Sequence, residues 1–188
     1  MVENGPRQAI DTRNAFRFVV GMEGDINDNW GFDVYALRSR LDNSQLLNND
    51  VSASRFRQAL LVTDDGTACQ DPSGGCVPLN IWGAGNISQE AVGFINVGAT
   101  NVTNVQETIF SGAVTGSLGN LIDPNTPVSV VVGAEYREEQ SSFRPDTFLS
   151  AGDVLGFNAG EPTVGSYDVT ELFTELDLPI LSGRPGVE

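Results

Sequence analysis

The chain of 188 residues contains no histidine and no lysine, so all ten of its basic residues are arginine. Without histidine there is no Ser-His-Asp or Cys-His triad, no imidazole general base and no histidine metal ligand. The sequence shows no serine nucleophile with a general base, no cluster of metal-ligating residues and no phosphate-binding glycine loop. We therefore expect no enzyme activity, no metal site and no cofactor.

Positive charge is scarce overall, because 25 acidic residues against 10 arginines give a formal net charge of -15. A nucleic-acid-binding surface needs cationic side chains at the phosphates, so nucleic acid is not an expected partner. Long apolar runs are missing as well. No run approaches the roughly 18 apolar residues that a transmembrane helix requires.

Cysteine is rare too, and both copies, Cys69 and Cys76, lie in the stretch C-Q-D-P-S-G-G-C. Two cysteines cannot build a Cys₄ zinc site, and their spacing is too wide for a C-x-x-C redox pair. We predict a local disulfide between them, which implies an oxidising compartment. Two free thiols in a cytosolic loop are the alternative.

The strongest positive signal is an alternation of apolar and polar side chains. Between Arg13 and Glu23 the even positions are mostly apolar and the odd positions mostly polar or small, and this period of two predicts a β-strand. Similar runs recur along the chain. We predict an all-β fold, an antiparallel up-and-down meander of about five long strands over residues 13–23, 29–40, 105–118, 127–138 and 166–179.

Two long segments interrupt the strands, over residues 43–103 and 139–165. Within the first, residues 54–61 and 87–95 have the spacing of short helices, the second with Ser88 as its N-cap. Loops on a rigid scaffold often carry recognition, so we take 43–103 as the best candidate for substrate contact. Its aromatic candidates are Trp82 and Phe94, and the alternative is that both pack within the loop.

Long strands with short turns at one end and long loops at the other are typical of transmembrane β-barrels. A soluble antiparallel sheet with one buried face shows the same alternation. In the barrel interpretation, one face of the sheet contacts lipid and the other lines the lumen. The lipid-facing set is Phe16, Phe18, Val20, Phe32, Val34, Phe110, Val114, Val130, Val132, Leu172 and Leu176. The lumen-facing set is Arg17, Asp33, Glu135, Arg137, Glu171 and Glu175.

Several segments, in order along the chain, resemble TonB-dependent outer-membrane receptors. Residues 17–25 (RFVVGMEGD) with 30–33 (WGFD) resemble that family's R-x-V-x-G-x-x-G-D … W-x-Y-D hairpin. Cys69 with residues 76–83 (CVPLNIWG) resembles its C … GCVPLNIFG segment. Residues 133–138 (GAEYRE) and 165–175 (GSYDVTELFTE) resemble its G-x-E-Y-R-x-E and G-x-Y-x-V-x-E-x-F-x-E strands.

The resemblance implies a middle part of a receptor barrel of about 22 strands, with the plug domain absent from residues 1–188. Such receptors import scarce nutrients of the siderophore, cobalamin or saccharide type across the Gram-negative outer membrane by energy-coupled transport. The partners it implies are outer-membrane lipid, the receptor's own plug and remaining strands, a small nutrient ligand, and the TonB complex through an N-terminal part. The rival interpretation is a soluble secreted β-domain, acidic and disulfide-pinned, that acts as a binding module.

Overall fold

The computed structural model describes residues 2–180 and contains one five-stranded antiparallel sheet in sequential strand order. The strands are β1 (Gln8–Asn27), β2 (Trp30–Val51), β3 (Asn96–Asp123), β4 (Thr126–Arg144) and β5 (Thr163–Asp177). The predicted all-β meander of five long strands is therefore confirmed. Short helices lie in the connections: α1 (Ala53–Leu60), α2 (Gln89–Ile95) and α3 (Thr147–Ser150), with a 3₁₀ turn over Ser73–Gly75.

Two-residue turns close both hairpins, and each turn is held by the residue that precedes it. The Asn29 N–H donates to Oδ1 of Asn27 at 2.9 Å, and the Asn125 N–H donates to Oδ1 of Asp123 at 2.7 Å. Asn and Asp favour such turns because their short side chains bond the backbone two residues on. Both hairpins therefore owe their tight reversal to local chemistry.

The predicted strand limits were wrong, most of all at the loop end of the sheet; at the other end β1 and β3 also run past them, and β5 stops short at Asp177. Because β2 continues to Val51 and β3 begins at Asn96, the connection predicted over 43–103 shrinks to 52–95; that over 139–165 shrinks to 145–162. At the loop end of the strands both faces of the sheet carry polar side chains. The hydrophobic alternation therefore vanishes there, although the backbone hydrogen bonds between strands continue. The amide of Asn101, for example, donates to Oε1 of Gln45 on the neighbouring strand at 3.3 Å.

The chain forms two compact units. Unit 1 comprises the chain up to Asn14, Asp42–Asn104 and Ser142–Val164, and unit 2 comprises Ala15–Leu41, Val105–Ser141 and the chain from Gly165. Each long strand contributes to both units. Unit 1 also contains the helices, the disulfide and the buried clusters described next.

Unit 1 has two small apolar cores. The larger one packs α1 against α2, and its buried members are Val51, Ala59, Leu79, Ile87, Ala91 and Ile95. The smaller one consists of Leu47, Ala99, Leu149 and Val154. Ser52 and Ser88 cap the two helices by accepting the N–H of Arg55 and Ala91, so the prediction that Ser88 is an N-cap is confirmed.

Unit 2 is a single sheet whose neighbouring strands place even-numbered side chains on one face and odd-numbered ones on the other. On the even face the rings of Phe110 and Tyr136 stack with centroids 6.5 Å apart. On the odd face the Ser39 hydroxyl lies 3.3 Å from Oε2 of Glu107. The even face is largely apolar, and the odd face carries most of the charged side chains of unit 2 among small, polar and some apolar ones.

Candidate binding site

Of the two aromatic contact candidates, only Trp82 is presented to solvent. Its side chain is 81% exposed, whereas Phe94 is half-buried and packs against the larger core of unit 1. The carbonyl oxygen of Phe94 accepts from Nη1 of Arg55 at 3.3 Å, which holds this end of α2 in place. Phe94 therefore supports the core, and Trp82 is left as the candidate for contact.

Trp82 borders a cleft of about 500 Å³ in unit 1. The walls come from segments 60–66 and 78–82, and their apolar side chains include Leu60, Val62, Leu79 and Ile81. The volume lies within the range of roughly 300–1,000 Å³ that small-molecule sites occupy. The sequence motif C-V-P-L-N-I-W-G thus supplies one wall of a cleft.

A disulfide lies in the loop that connects the two wall segments. Cys69 and Cys76 are bonded, with a Cα–Cα distance of 6.2 Å, so the predicted pairing is confirmed. Val62 pairs with Cys69 as an isolated antiparallel bridge, and the Leu79 N–H donates to the Ala59 carbonyl at 2.9 Å. The backbone on either side of the cleft is therefore fixed by covalent and hydrogen bonds.

The loop that carries Trp82 is tied at three points. Its own N–H donates to Oδ1 of Asn80 at 3.1 Å, and its carbonyl accepts from the amide of Asn86. The N–H of Gly85, the residue directly before Asn86, donates to Oε1 of Glu3 at 2.7 Å. An exposed indole thus projects from an ordered backbone.

The segment that forms the cleft carries only negative charge. Residues 58–89 include three acidic side chains, Asp64, Asp65 and Asp71, and no basic one. Hydrogen bonds from the hydroxyls of Thr63 and Thr67 lower the pKa of Asp65 to about 2. The backbone N–H of Ser73 likewise lowers the pKa of Asp71, so both groups are ionised at neutral pH.

A second cavity, of about 320 Å³, lies beside the first residues of the chain. Here Nε of Arg7 stands 2.8 Å from Oδ1 of Asp50, whose side chain is only 2% exposed. The Arg7 guanidinium also lies 5.4 Å from the ring centroid of Phe157 and donates to the Leu155 carbonyl. No local pattern marks Asn4 or Arg7 as structural residues, because their partners lie more than 40 positions away.

No family model, no curated protein and no solved structure matches this chain. Within residues 2–180, no helix has both the length and the apolar character needed to cross a bilayer. The same part of the chain contains no group of three or more acidic or cysteine side chains arranged to hold a metal ion.

The predicted lipid-facing residues lie on the even face of unit 2. Eight of the eleven are exposed, from 38% for Val34 to 86% for Leu172, and the other three, Phe32, Val114 and Val130, are half-buried. A shallow depression of about 390 Å³ lies among Val20, Met22, Val34, Ala36 and Phe110. This face is not covered by any other layer of the described chain.

The predicted lumen-facing residues lie on the odd face. Nη1 of Arg137 lies 3.6 Å from Glu135, and its Nε lies 3.7 Å from Glu139, which the sequence reasoning did not single out. Arg17, Asp33, Glu171 and Glu175 are exposed. The structure thus pairs Glu135 with Arg137.

Proposed function

We propose that this chain forms part of the wall of an outer-membrane receptor of the TonB-dependent type. The observation that carries the proposal is the exposed apolar face of unit 2. The opposite face of the same strands carries most of the charged side chains of this unit. Contiguous exposed apolar surface marks a site whose natural contact is a partner or a membrane. A barrel wall has this two-sided character, with lipid on one face and a polar lumen on the other.

The dimensions of the apolar face suit a bilayer. On β1 the even positions from Phe16 to Ile26 are apolar except for Gly24. At a rise of roughly 3.3 Å per residue, this stretch spans about 33 Å along the strand. Strands of membrane barrels tilt by about 40°, so this length gives an apolar height near the usual value of about 25 Å. Toward the loop end, this face turns polar at Arg38, whose guanidinium donates to Thr108 and Gln106.

The two edges of the sheet also favour a wall that continues. β1 has only β2 as a neighbour and β5 has only β4, so the outer backbone groups of both strands are unpaired in the sheet. Hydrocarbon supplies no hydrogen bonds, and closed membrane barrels have at least about eight strands. Further strands would therefore flank β1 and β5.

The remaining parts of the receptor are proposed from the family resemblance alone. In the proposed assembly a plug domain would meet the charged face, and an N-terminal part would engage the TonB complex. The imported solute would be a scarce nutrient of the siderophore, cobalamin or saccharide type. The location would be the outer membrane of a Gram-negative cell.

A second candidate is a soluble secreted β-domain that acts as a binding module. The observation in its favour is unit 1, which has its own buried cores, a disulfide and a cleft. The two candidates differ in what they expect at the even face of unit 2. A receptor leaves that face to lipid, whereas a soluble module must cover it with a protein layer.

Val19 and Val20 provide a matched test, because they are adjacent valines on opposite faces of β1 with nearly equal exposures of 51% and 55%. We would introduce arginine at each position in the outer-membrane protein and measure heat-modifiable mobility in membrane fractions. Arginine on the lipid face costs about 2–4 kcal/mol near the bilayer midplane, so V20R should lose folded protein and V19R should retain it. Equal behaviour of the two variants, or recovery of the unmodified chain as a soluble monomer without detergent, would overturn the proposal.

A further inference from the structure

The exposed indole of Trp82 is not needed by the cores of unit 1. Its side chain is 81% exposed, yet Asn80, Asn86 and the link between Glu3 and Gly85 hold its backbone and loop in place. Exposing a tryptophan forgoes the burial of a large apolar surface. Such a residue, held beside a cleft, is well placed to form a contact with a ligand.

The shape and lining of the cleft indicate a ligand with an apolar body. Leu60, Val62, Leu79 and Ile81 supply aliphatic wall, and Trp82 supplies an aromatic face. Asn80 is the one side-chain amide in the lining, and its Oδ1 already accepts the backbone N–H of Trp82. A solute that depends on many side-chain hydrogen bonds would find few partners here.

The charges near the cleft favour a positive ligand. Asp64 and Asp65 directly precede Gly66, which lies in the lining, and residues 58–89 carry no cation to balance them. The face of an indole ring is electron-rich and attracts cations, tryptophan more than other aromatics. An anionic ligand would meet repulsion from the carboxylates and no arginine within that segment.

We propose that the cleft beside Trp82 binds an organic cation with an apolar body, with the positive group over the indole and the body against the aliphatic wall. The binding site depends on unit 1 alone. Its use as the capture site of an imported solute rests on the proposed function.

The two tryptophans of the chain allow a direct measurement. In a W30F variant Trp82 is the only indole, so its fluorescence reports binding of benzyltrimethylammonium, benzyl alcohol or benzenesulfonate as cationic, neutral and anionic probes. We expect the cation to bind at least about 5-fold more tightly than the other two. Calorimetry on the unmodified protein should give the same order.

Two substitutions locate the site. W82L keeps an apolar side chain and removes the indole, and it should weaken binding of the cation about 5- to 30-fold by calorimetry. D64N, which lies between the lining residues Val62 and Gly66, should weaken it about 2-fold or more. E90Q on α2, eight residues beyond the last lining residue, Trp82, should leave it unchanged. Unchanged binding by W82L, equal or tighter binding of the neutral or anionic probe, or no binding of any probe would overturn the inference.

These outcomes are separate from those of the Val19 and Val20 test. Membrane assembly is measured without any ligand, and cation binding is measured on protein that has already folded. A protein that assembles in the membrane and ignores the cation refutes only the ligand inference. A soluble protein that binds the cation refutes only the receptor proposal.

Discussion

The indole of Trp30 on β2 covers Gly116 on β3 so closely that a methyl group on Gly116 would lie 2.2 Å from Cδ2 of Trp30. On the opposite face, the ring of Phe173 covers Gly133 in the same way, with Cζ at 2.2 Å from the position of such a methyl group. Both glycines are buried. Aromatic rings therefore replace the missing side chains of both glycines and fasten neighbouring strands together.

We expect G116A to destabilise unit 2 by about 1–3 kcal/mol, because the added methyl group must push the Trp30 ring out of its position. The measurement is the free energy of unfolding in urea, followed by tryptophan fluorescence. Gly165 on β5 is the matched control, since nothing lies within 4 Å of a methyl group there. G165A should leave stability unchanged or raise it slightly, and equal losses from both variants would contradict the packing argument.

The pair of Arg7 and Asp50 should be strongly coupled. Asp50 is 2% exposed, and R7A would leave its charge buried without a counter-ion, which typically costs about 3–5 kcal/mol. In a double-mutant cycle measured by denaturant unfolding, D50N should recover much of the stability lost in R7A. Additive losses from the two substitutions would show that the ion pair contributes little.

Asp153 should make unit 1 sensitive to acid. Its carboxylate accepts from the Ser52 hydroxyl at 2.6 Å, from the Ser54 N–H at 2.6 Å and from the Ser54 hydroxyl at 2.9 Å. Burial raises the pKa of Asp153, but these hydrogen bonds outweigh burial and leave the pKa below its ordinary value. The ionised form is therefore favoured in the folded protein relative to the unfolded chain.

A lowered pKa stabilises the folded state above the unfolded pKa of about 3.9, and this stabilisation is lost as the pH falls below that value. We expect D153N to lose about 1–3 kcal/mol at pH 7 and to differ less from the unmodified protein near pH 3. The unfolding free energies of both proteins across this range test the prediction. A difference that stays constant with pH would contradict it.

The Cys69–Cys76 bond should hold the cleft together rather than the sheet. It closes a loop with a sequence separation of 7, for which chain entropy alone gives about 2.5 kcal/mol. In a C69A/C76A variant, we expect faster amide hydrogen exchange over residues 60–82 and weaker cation binding. Peptides from residues 105–118 of unit 2 serve as the internal control, and exchange that is unchanged over 60–82 would refute the assignment.

The alternation of residues such as Phe16, Phe18 and Val20 was sufficient to predict the strands of unit 2. Side chains on a strand alternate strictly, so a sheet with one apolar face leaves its mark on the sequence. The ends of the strands escaped prediction where residues such as Gln45 and Asn101 make both faces polar. The backbone hydrogen bonds between strands continue there, but the sequence has no alternation of apolar and polar residues from which a strand could be predicted.

The candidate site was predictable only in part. Trp82 and the cysteine pair stood out because tryptophan and cysteine each occur only twice in the sequence. Phe94 carries the same aromatic signal but packs against the core, since its neighbours Ala91 and Ile95 on α2 are buried. The link from Glu3 to Gly85 spans 82 residues, and no local pattern predicts a contact over that distance.

The two hairpin turns have a practical consequence for labelling the molecule. Each is a tip of two residues, Asp28–Asn29 and Pro124–Asn125, and the tip residues are exposed. Exposed tips of this kind tolerate inserted sequence better than the strands that lead into them. Under the proposed receptor function, a short epitope inserted into either turn would let antibody staining of intact cells report which side of the membrane the turns face.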